Sequence, residues 1–248
     1  MFYKGSALTF GLCKSVNYYI YLQVQMSWFT KTFSSTIGRK LLVAVTGLFL
    51  CSFLVIHLIG NLQLFSSDEG VAFNAYTYFM THNPLIRAME IILLLGFVFH
   101  IYEAWSLSRR NQGARSVKYA VNRLDENSNW SSRNMGLLGT VIFVFLLVHL
   151  YNFYFKLKFG EIGLDAAGNK NLYAITIEAF SHWWYVALYV ISMVALAFHL
   201  IHGFQSAFQT LGLSHKKYTP AIKAFGYFFS IVVCAGFAAM PLYFYFIY

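Results

Sequence analysis

Five stretches of this chain are apolar over more than twenty residues and almost free of charge: Lys40 to Phe65, Leu85 to Ser108, Met135 to Phe155, His182 to Ala207 and Ala224 to Ile247. A hydrocarbon layer about 30 Å thick is crossed by roughly 20 helical residues at 1.5 Å each. Each stretch is therefore long enough to span a membrane as one helix. Of the 248 residues, 58% are hydrophobic and 11% charged, against about a quarter charged in soluble domains. The connections hold nearly all of that charge and leave no room for a separate soluble domain. The expectation is an all-α membrane protein, one five-helix bundle over residues 26–248.

The net charge of +9 does not point to nucleic acid, because the basic residues sort by side of the membrane rather than by one folded face. Lys4, Lys14, Lys31, Arg39 and Lys40 precede the first segment, and Arg109, Arg110, Arg115, Lys118, Arg123 and Arg133 lie between the second and third. Lys216, Lys217 and Lys223 bring that side to fourteen, whereas Arg87, Lys156, Lys158 and Lys170 make four on the other. The positive-inside rule then expects a cytoplasmic N-terminus and an outside C-terminus. Trp183, Trp184, Tyr243, Tyr245 and Tyr248 read as an aromatic belt on the outer face.

Residues 1–25 are basic and aromatic, lack a small-residue cleavage site, and precede Met26-Ser-Trp-Phe. Translation is expected to start at Met26, the alternative being a short interfacial arm. Cys13, Cys51 and Cys234 are widely spaced and show no paired-cysteine pattern, and no C-x-x-C-H occurs.

Four histidines, His57, His100, His149 and His199, each sit in a different apolar segment, where an imidazole is too costly to keep without a partner. With alternate segments running outward and inward, depth can be counted. His57 lies 17 residues beyond Lys40 and His149 16 beyond Arg133, so both are about 25 Å from the inner ends of their helices. His100 lies 9 residues before Arg109, about 14 Å from the inner end, and His199 lies 17 past His182 on an inward-running helix. Two couples follow, His57 with His149 in the outer half and His100 with His199 in the inner half. Two bis-histidine haems require that arrangement, and a second imidazole in place of an open position favours electron transfer over oxygen binding. Gly47 precedes His57 by ten residues and Gly139 precedes His149 by ten, which puts both glycines at the inner level, where a residue without Cβ lets a flat ring approach. Small residues also serve plain helix packing.

His202, three residues after His199, shares its face and is a second candidate as ligand, propionate contact or quinone contact. His82, His182 and His215 fall at boundaries or in a loop and read as solvated. For a quinone, Glu90 with Arg87 one turn away, and Asn61 with Gln63, are outer candidates, while Ser35, Arg39 and Lys40 are inner ones. Arg39, Arg109, Arg110 and Arg133 gather at the inner mouth, where guanidinium groups suit haem propionates, an acidic partner face or lipid phosphate. The chain has no dinucleotide fingerprint and no cysteine cluster.

Several runs carry a resemblance: S-S-T-I-G-R-K-L-L at Ser34 to Leu42, H-L-I-G-N-L-Q-L-F at His57 to Phe65, and F-N-A-Y-T-Y-F-M at Phe73 to Met80. To these add N-P-L-I-R at Asn83 to Arg87, A-R-S-V-K-Y at Ala114 to Tyr119, and F-H-L-I-H-G-F-Q-S-A-F-Q-T-L-G at Phe198 to Gly212. Over Ser27 to Tyr248 the chain resembles the single-chain di-haem cytochrome b membrane anchor of succinate dehydrogenase and fumarate reductase (succinate:quinone oxidoreductase), of the Bacteroidetes-like type. The resemblance implies two haem b groups, a proximal one on His100 and His199 and a distal one on His57 and His149. It selects His199 over His202, because His199 stands four residues before Gly203 as the family's ligand does. Some menaquinol-linked members have a glutamate two residues before that ligand where this chain has Ala197, so no proton route carries over from them. It further implies a flavoprotein subunit and an iron-sulfur subunit on the cytoplasmic side of a bacterial inner membrane, with a quinone, menaquinone by expectation, as substrate. Dicarboxylate chemistry would belong to the partners. The competing readings are a di-haem subunit of a hydrogenase or formate dehydrogenase, a transporter, and an anchor without haems.

Overall fold

A computed structural model describes residues 27–28, 30–113 and 128–247. The N-terminal 1–25 segment with its start at Met26, the 114–119 motif with Arg115 and Lys118, Arg123, and Tyr248 lie outside these residues. Among the described residues the chain is nearly all helical, with no strand and a single bridge between Leu164 and Lys170. Five helices are long and apolar enough to cross a membrane, which marks a multi-pass membrane protein. They are α1 (Thr36–Asn61, continued by a 3-10 turn Leu62–Phe65), α3 (Pro84–Gly113), α5 (Met135–His149, prolonged by a π-helical turn Leu150–Phe155 and by α6, Lys156–Phe159), α8 (Trp183–Thr210) and α9 (Thr219–Phe246). Helices satisfy every interior backbone group without outside partners, the condition lipid imposes. Between them lie α2 (Val71–His82), α4 (Trp130–Arg133) and α7 (Leu172–Phe180).

Polar side chains mark where the helices begin. The Ser35 hydroxyl accepts from Gly38 N at 3.0 Å to cap α1, and Asn83 Oδ1 accepts from Leu85 N at 2.9 Å just ahead of Pro84. A side-chain oxygen in that position satisfies one of the orphan amides of the first turn. Pro241 is fully buried inside α9 near its far end.

The long helices alternate in direction. Arg39 at the start of α1 meets Glu103 and Ser106 near the end of α3, and Glu90 near the start of α3 meets Tyr154 and Lys158 beyond the end of α5. One end of the bundle therefore gathers Arg39, Arg109, Arg133 and the α8–α9 connection; we call it the basic end. The bundle is densest along α8 and α9, whose Tyr185, Val186, Tyr189, Met193, Leu200, Phe204, Val233, Cys234, Met240 and Phe244 are buried. Helix α3 packs chiefly against α1. Among its described residues only Glu103 is buried.

The end opposite the basic one is closed by α2 and α7, two helices too short to span. Phe73, Leu172, Tyr173 and Phe180 of this cap join Leu64, Tyr185, Tyr189, Met240 and Phe244 in one buried cluster. Asn74, 1% exposed, ties the two helices together: its Nδ2 donates to Asn171 Oδ1 at 3.1 Å, and its Oδ1 accepts from Tyr173 N at 3.1 Å. Asn171 Oδ1 in turn caps α7 through Ala174 N at 3.0 Å. The chain enters α2 through Gly70 at φ 86°, and a Cβ built there would fall 2.1 Å from Tyr173 Cγ. Gly70→Ala is thus expected to destabilise the protein by about 2 kcal/mol, from left-handed strain plus overpacking, read as a lower unfolding midpoint of the detergent-solubilised chain.

Candidate functional site

The four histidines occupy two levels. In the level nearer the cap, His57 of α1 and His149 of α5 face each other with ring centroids 5.9 Å apart and planes at 89°. Phe53, one turn before His57, stacks on its ring at 5.1 Å, and Phe237 of α9 approaches at 5.5 Å. Phe145 and Phe153 flank His149 on its own helix at 5.7 and 5.3 Å. The i, i+4 spacing of helical neighbours brings Phe53 beside His57, and Phe145 and Phe153 on either side of His149. The couple thus sits in an aromatic sleeve with one polar contact on His149, a hydrogen bond between its Nδ1 and Tyr189 Oη at 2.9 Å.

The level nearer the basic end holds His100 of α3 and His199 of α8, each set against a glycine of another long helix. Gly47 of α1 lies against His100, where an added Cβ would be 3.2 Å from Cε1, and Gly139 of α5 lies against His199, where it would be 4.0 Å from Cε1. Both glycines precede an upper-level histidine by ten residues, so the two levels are about 15 Å apart along the helices. His100 Nδ1 is 3.0 Å from Thr46 Oγ1, whose own proton goes to Leu42 O at 2.7 Å. Thr46 therefore accepts from His100 Nδ1–H, and the ring's other nitrogen keeps its lone pair. His199 Nδ1 is buried and meets no hydrogen-bond partner among the described residues.

Other candidates are already engaged within the chain. His202 is half-buried on α8, three residues after His199. Asn61 spends its amide on His57 O at 2.8 Å and Gln63 on Gly60 O at 3.3 Å, so both serve their own helix end. Glu90 is held by Arg87 at 2.7 Å, by Lys158 at 3.3 Å and by the Tyr154 hydroxyl. Arg39 binds Glu103 Oε2 at 3.2 Å and Ser106 Oγ at 2.6 Å. Arg109 lies over the Trp105 ring at 4.5 Å, Arg110 donates to Ser34 O at 3.3 Å and Arg133 to Ser128 O.

Glu103, Thr46 and Tyr189 also meet candidate residues, and the sequence marks them unequally. Glu103 stands three residues after His100 on the same face of an apolar segment, and an acid inside a span is itself a signal. Thr46 and Tyr189 carry no comparable mark, since hydroxyls are common in spans and their partners lie on other helices. The π-helical turn beginning at Leu150, directly after His149, has no sequence signature either, although such turns gather at functional positions.

The upper couple, two imidazoles 5.9 Å apart ring to ring among phenylalanines, fits a porphyrin-bound iron that His57 and His149 would hold. At the lower level His100 and His199, each set against a glycine, would be the holding pair. No group of three His, Cys, Asp or Glu gathers among the described residues. A porphyrin iron asks the protein for only two ligands, because the macrocycle supplies the rest. Set against protein-family models, curated proteins and solved structures, the chain matches none of them.

Proposed function

We propose that this chain is the di-haem cytochrome b membrane anchor of a succinate:quinone oxidoreductase. The observation that carries the reading is the couple of His57 and His149 from two different spans among aromatic rings, with His100 and His199 one level below, each against a glycine of another span. The motif series from Ser34 to Gly212 supports this enzyme over other di-haem respiratory subunits. Bound haem b would supply one-electron transfer at each level. The chain's part is to hold four imidazoles in register, keep the upper couple dry among phenylalanines, and leave flat walls at the lower level. A low-dielectric shell of that kind tunes reduction potential.

In this reading the basic end is cytoplasmic, as positive-inside sorting predicts, and the cap faces outward across a bacterial inner membrane. A flavoprotein and an iron-sulfur subunit dock at the basic end, where the exposed Arg109 and Arg110 lie. His100 and His199 then belong to the haem proximal to them. Electrons pass between the iron-sulfur subunit and a membrane quinone, menaquinone by expectation, and dicarboxylate chemistry stays in the flavoprotein. A reduced-minus-oxidised optical spectrum of the complex purified with its partners tests this. Two b-type haems per anchor, with succinate-dependent quinone reduction or the reverse, are expected. A complex without haem, or one co-purifying with a hydrogenase or formate dehydrogenase subunit, overturns it.

A further inference from the structure

The polar contact of His149 is one link of a longer chain. Tyr189, 6% exposed, touches His149 Nδ1 at 2.9 Å, Tyr185, 2% exposed, lies 3.4 Å from Tyr189 oxygen to oxygen, and Asn152 Nδ2 donates to Tyr185 Oη at 3.0 Å. Asn152 belongs to the π-helical turn that follows His149, while both tyrosines lie on α8 one turn apart. The turn thus returns the chain that carries the imidazole to the helix that orients it.

The direction of donation can be worked out from the proton inventory. An amide NH₂ only donates, so Tyr185 Oη accepts from Asn152. A hydroxyl has one proton and two acceptor sites, so Tyr189 can give its proton to Tyr185 and accept from His149 Nδ1–H. Along this route donation runs one way, from His149 through Tyr189 to Tyr185. The opposite order would place the ring proton on Nε2, on the side of His57, 5.9 Å away ring to ring, and would remove the lone pair that a metal ligand needs there. Thr46 does the equivalent for His100 at the lower level. One histidine of each couple is therefore oriented by a hydroxyl from a neighbouring helix: Thr46 on α1 for α3, and Tyr189 on α8 for α5.

We infer that Tyr189 is a positioning residue for the outer redox centre: by accepting from Nδ1–H it fixes His149 with its Nε2 lone pair toward His57 and strengthens it as an electron donor to iron. The inference rests on the proposed function. A more basic axial ligand favours the oxidised metal, so Tyr189 holds the outer potential down. Tyr185, by accepting the Tyr189 proton, makes the Tyr189 oxygen a better acceptor, since linked hydrogen bonds strengthen one another.

Potentiometric titration of the complete complex tests this, with the outer haem identified as the one lost in His57→Ala. In Tyr189→Phe both haems are expected to remain, and reduction of the outer one becomes up to about tenfold more favourable, an upward shift of as much as ~59 mV for one electron, with the inner one unchanged. Tyr185→Phe is expected to shift the same haem in the same direction by less, and Thr46→Val to move the inner haem alone. Two haems in Tyr189→Phe with the outer potential unmoved, or both potentials moved equally, overturn this inference and leave the proposed function standing. A wild-type complex devoid of haem overturns both. If Tyr189→Phe loses haem through misfolding, Tyr185→Phe decides, and an unmoved outer potential there overturns the inference.

Discussion

Alanine in place of His57 is expected to take the purified complex from two haems per anchor to one, and alanine in place of His149 to yield the same one-haem product with the same spectrum. The two rings stand edge-on to each other between α1 and α5 at 5.9 Å, so the two together would hold one shared centre. The side chains around them are Phe53, Phe145, Phe153, Phe237 and Tyr189, none of which replaces an imidazole as a neutral nitrogen ligand. The double variant His57→Ala/His149→Ala should therefore lose nothing further. His100→Ala and His199→Ala should each remove the other haem, and pairing either with His57→Ala should remove both. His202→Ala should spare both haems, because Gly139 lies against His199 at the lower level. Haem content by pyridine haemochrome against protein concentration reads all of these. If His57→Ala and His100→Ala empty the same site, or if His202→Ala empties one, the couples are wrongly drawn.

How much of this was readable from the chain follows from the range of each interaction. Span positions are local properties of composition, and all five expected segments lie on helices, the third lengthened by its π turn and α6. The two levels were legible because helical rise is constant, so an offset of ten residues means the same distance in α1 as in α5. The cap was not. Helices α2 and α7 are short and mixed in composition, and the contact that makes them one unit, Asn74 with Asn171, joins residues 97 apart. Glu90 was read with Arg87, its neighbour on the same helix, but Tyr154 and Lys158 reach it only because a π turn and α6 carry α5 further. Tyr189 and Thr46 stayed unread for the same reason, since a hydroxyl gains its meaning from the ring it meets on another helix. The acid at Glu103 was legible in kind, but its partner Arg39 stands 64 residues earlier.

That pair leads to the second large expectation, that Arg39→Ala destabilises the anchor by about 3–5 kcal/mol while Arg39→Met/Glu103→Met together costs little. The side chains are 14% and 8% exposed and the N–O distance is 3.2 Å. Glu103 is the buried residue of a helix whose other described side chains are partly or fully exposed, so without Arg39 its carboxylate would lose the cation that meets it in surroundings of low polarity. Removing one member of a buried pair leaves an uncompensated charge, whereas replacing both with apolar groups of similar size removes the desolvation cost along with the attraction. Arg39→Lys should fall between, because an ammonium keeps the charge beside Glu103 but lacks the planar, pre-organised guanidinium that sets Nη1 against both Glu103 and Ser106. Glu103→Gln should be mild, near 1–2 kcal/mol, since the amide oxygen still accepts from Arg39 and the arginine, at the helix end, can extend its charge toward lipid phosphate. At about 2–4 °C per kcal/mol for a chain of this size, the Arg39→Ala midpoint should drop by roughly 10 °C in detergent, with the double variant within a few degrees of the wild type. A single variant as stable as the wild type, or a double variant less stable than Arg39→Ala, would show that this contact does not govern the joint between α1 and α3.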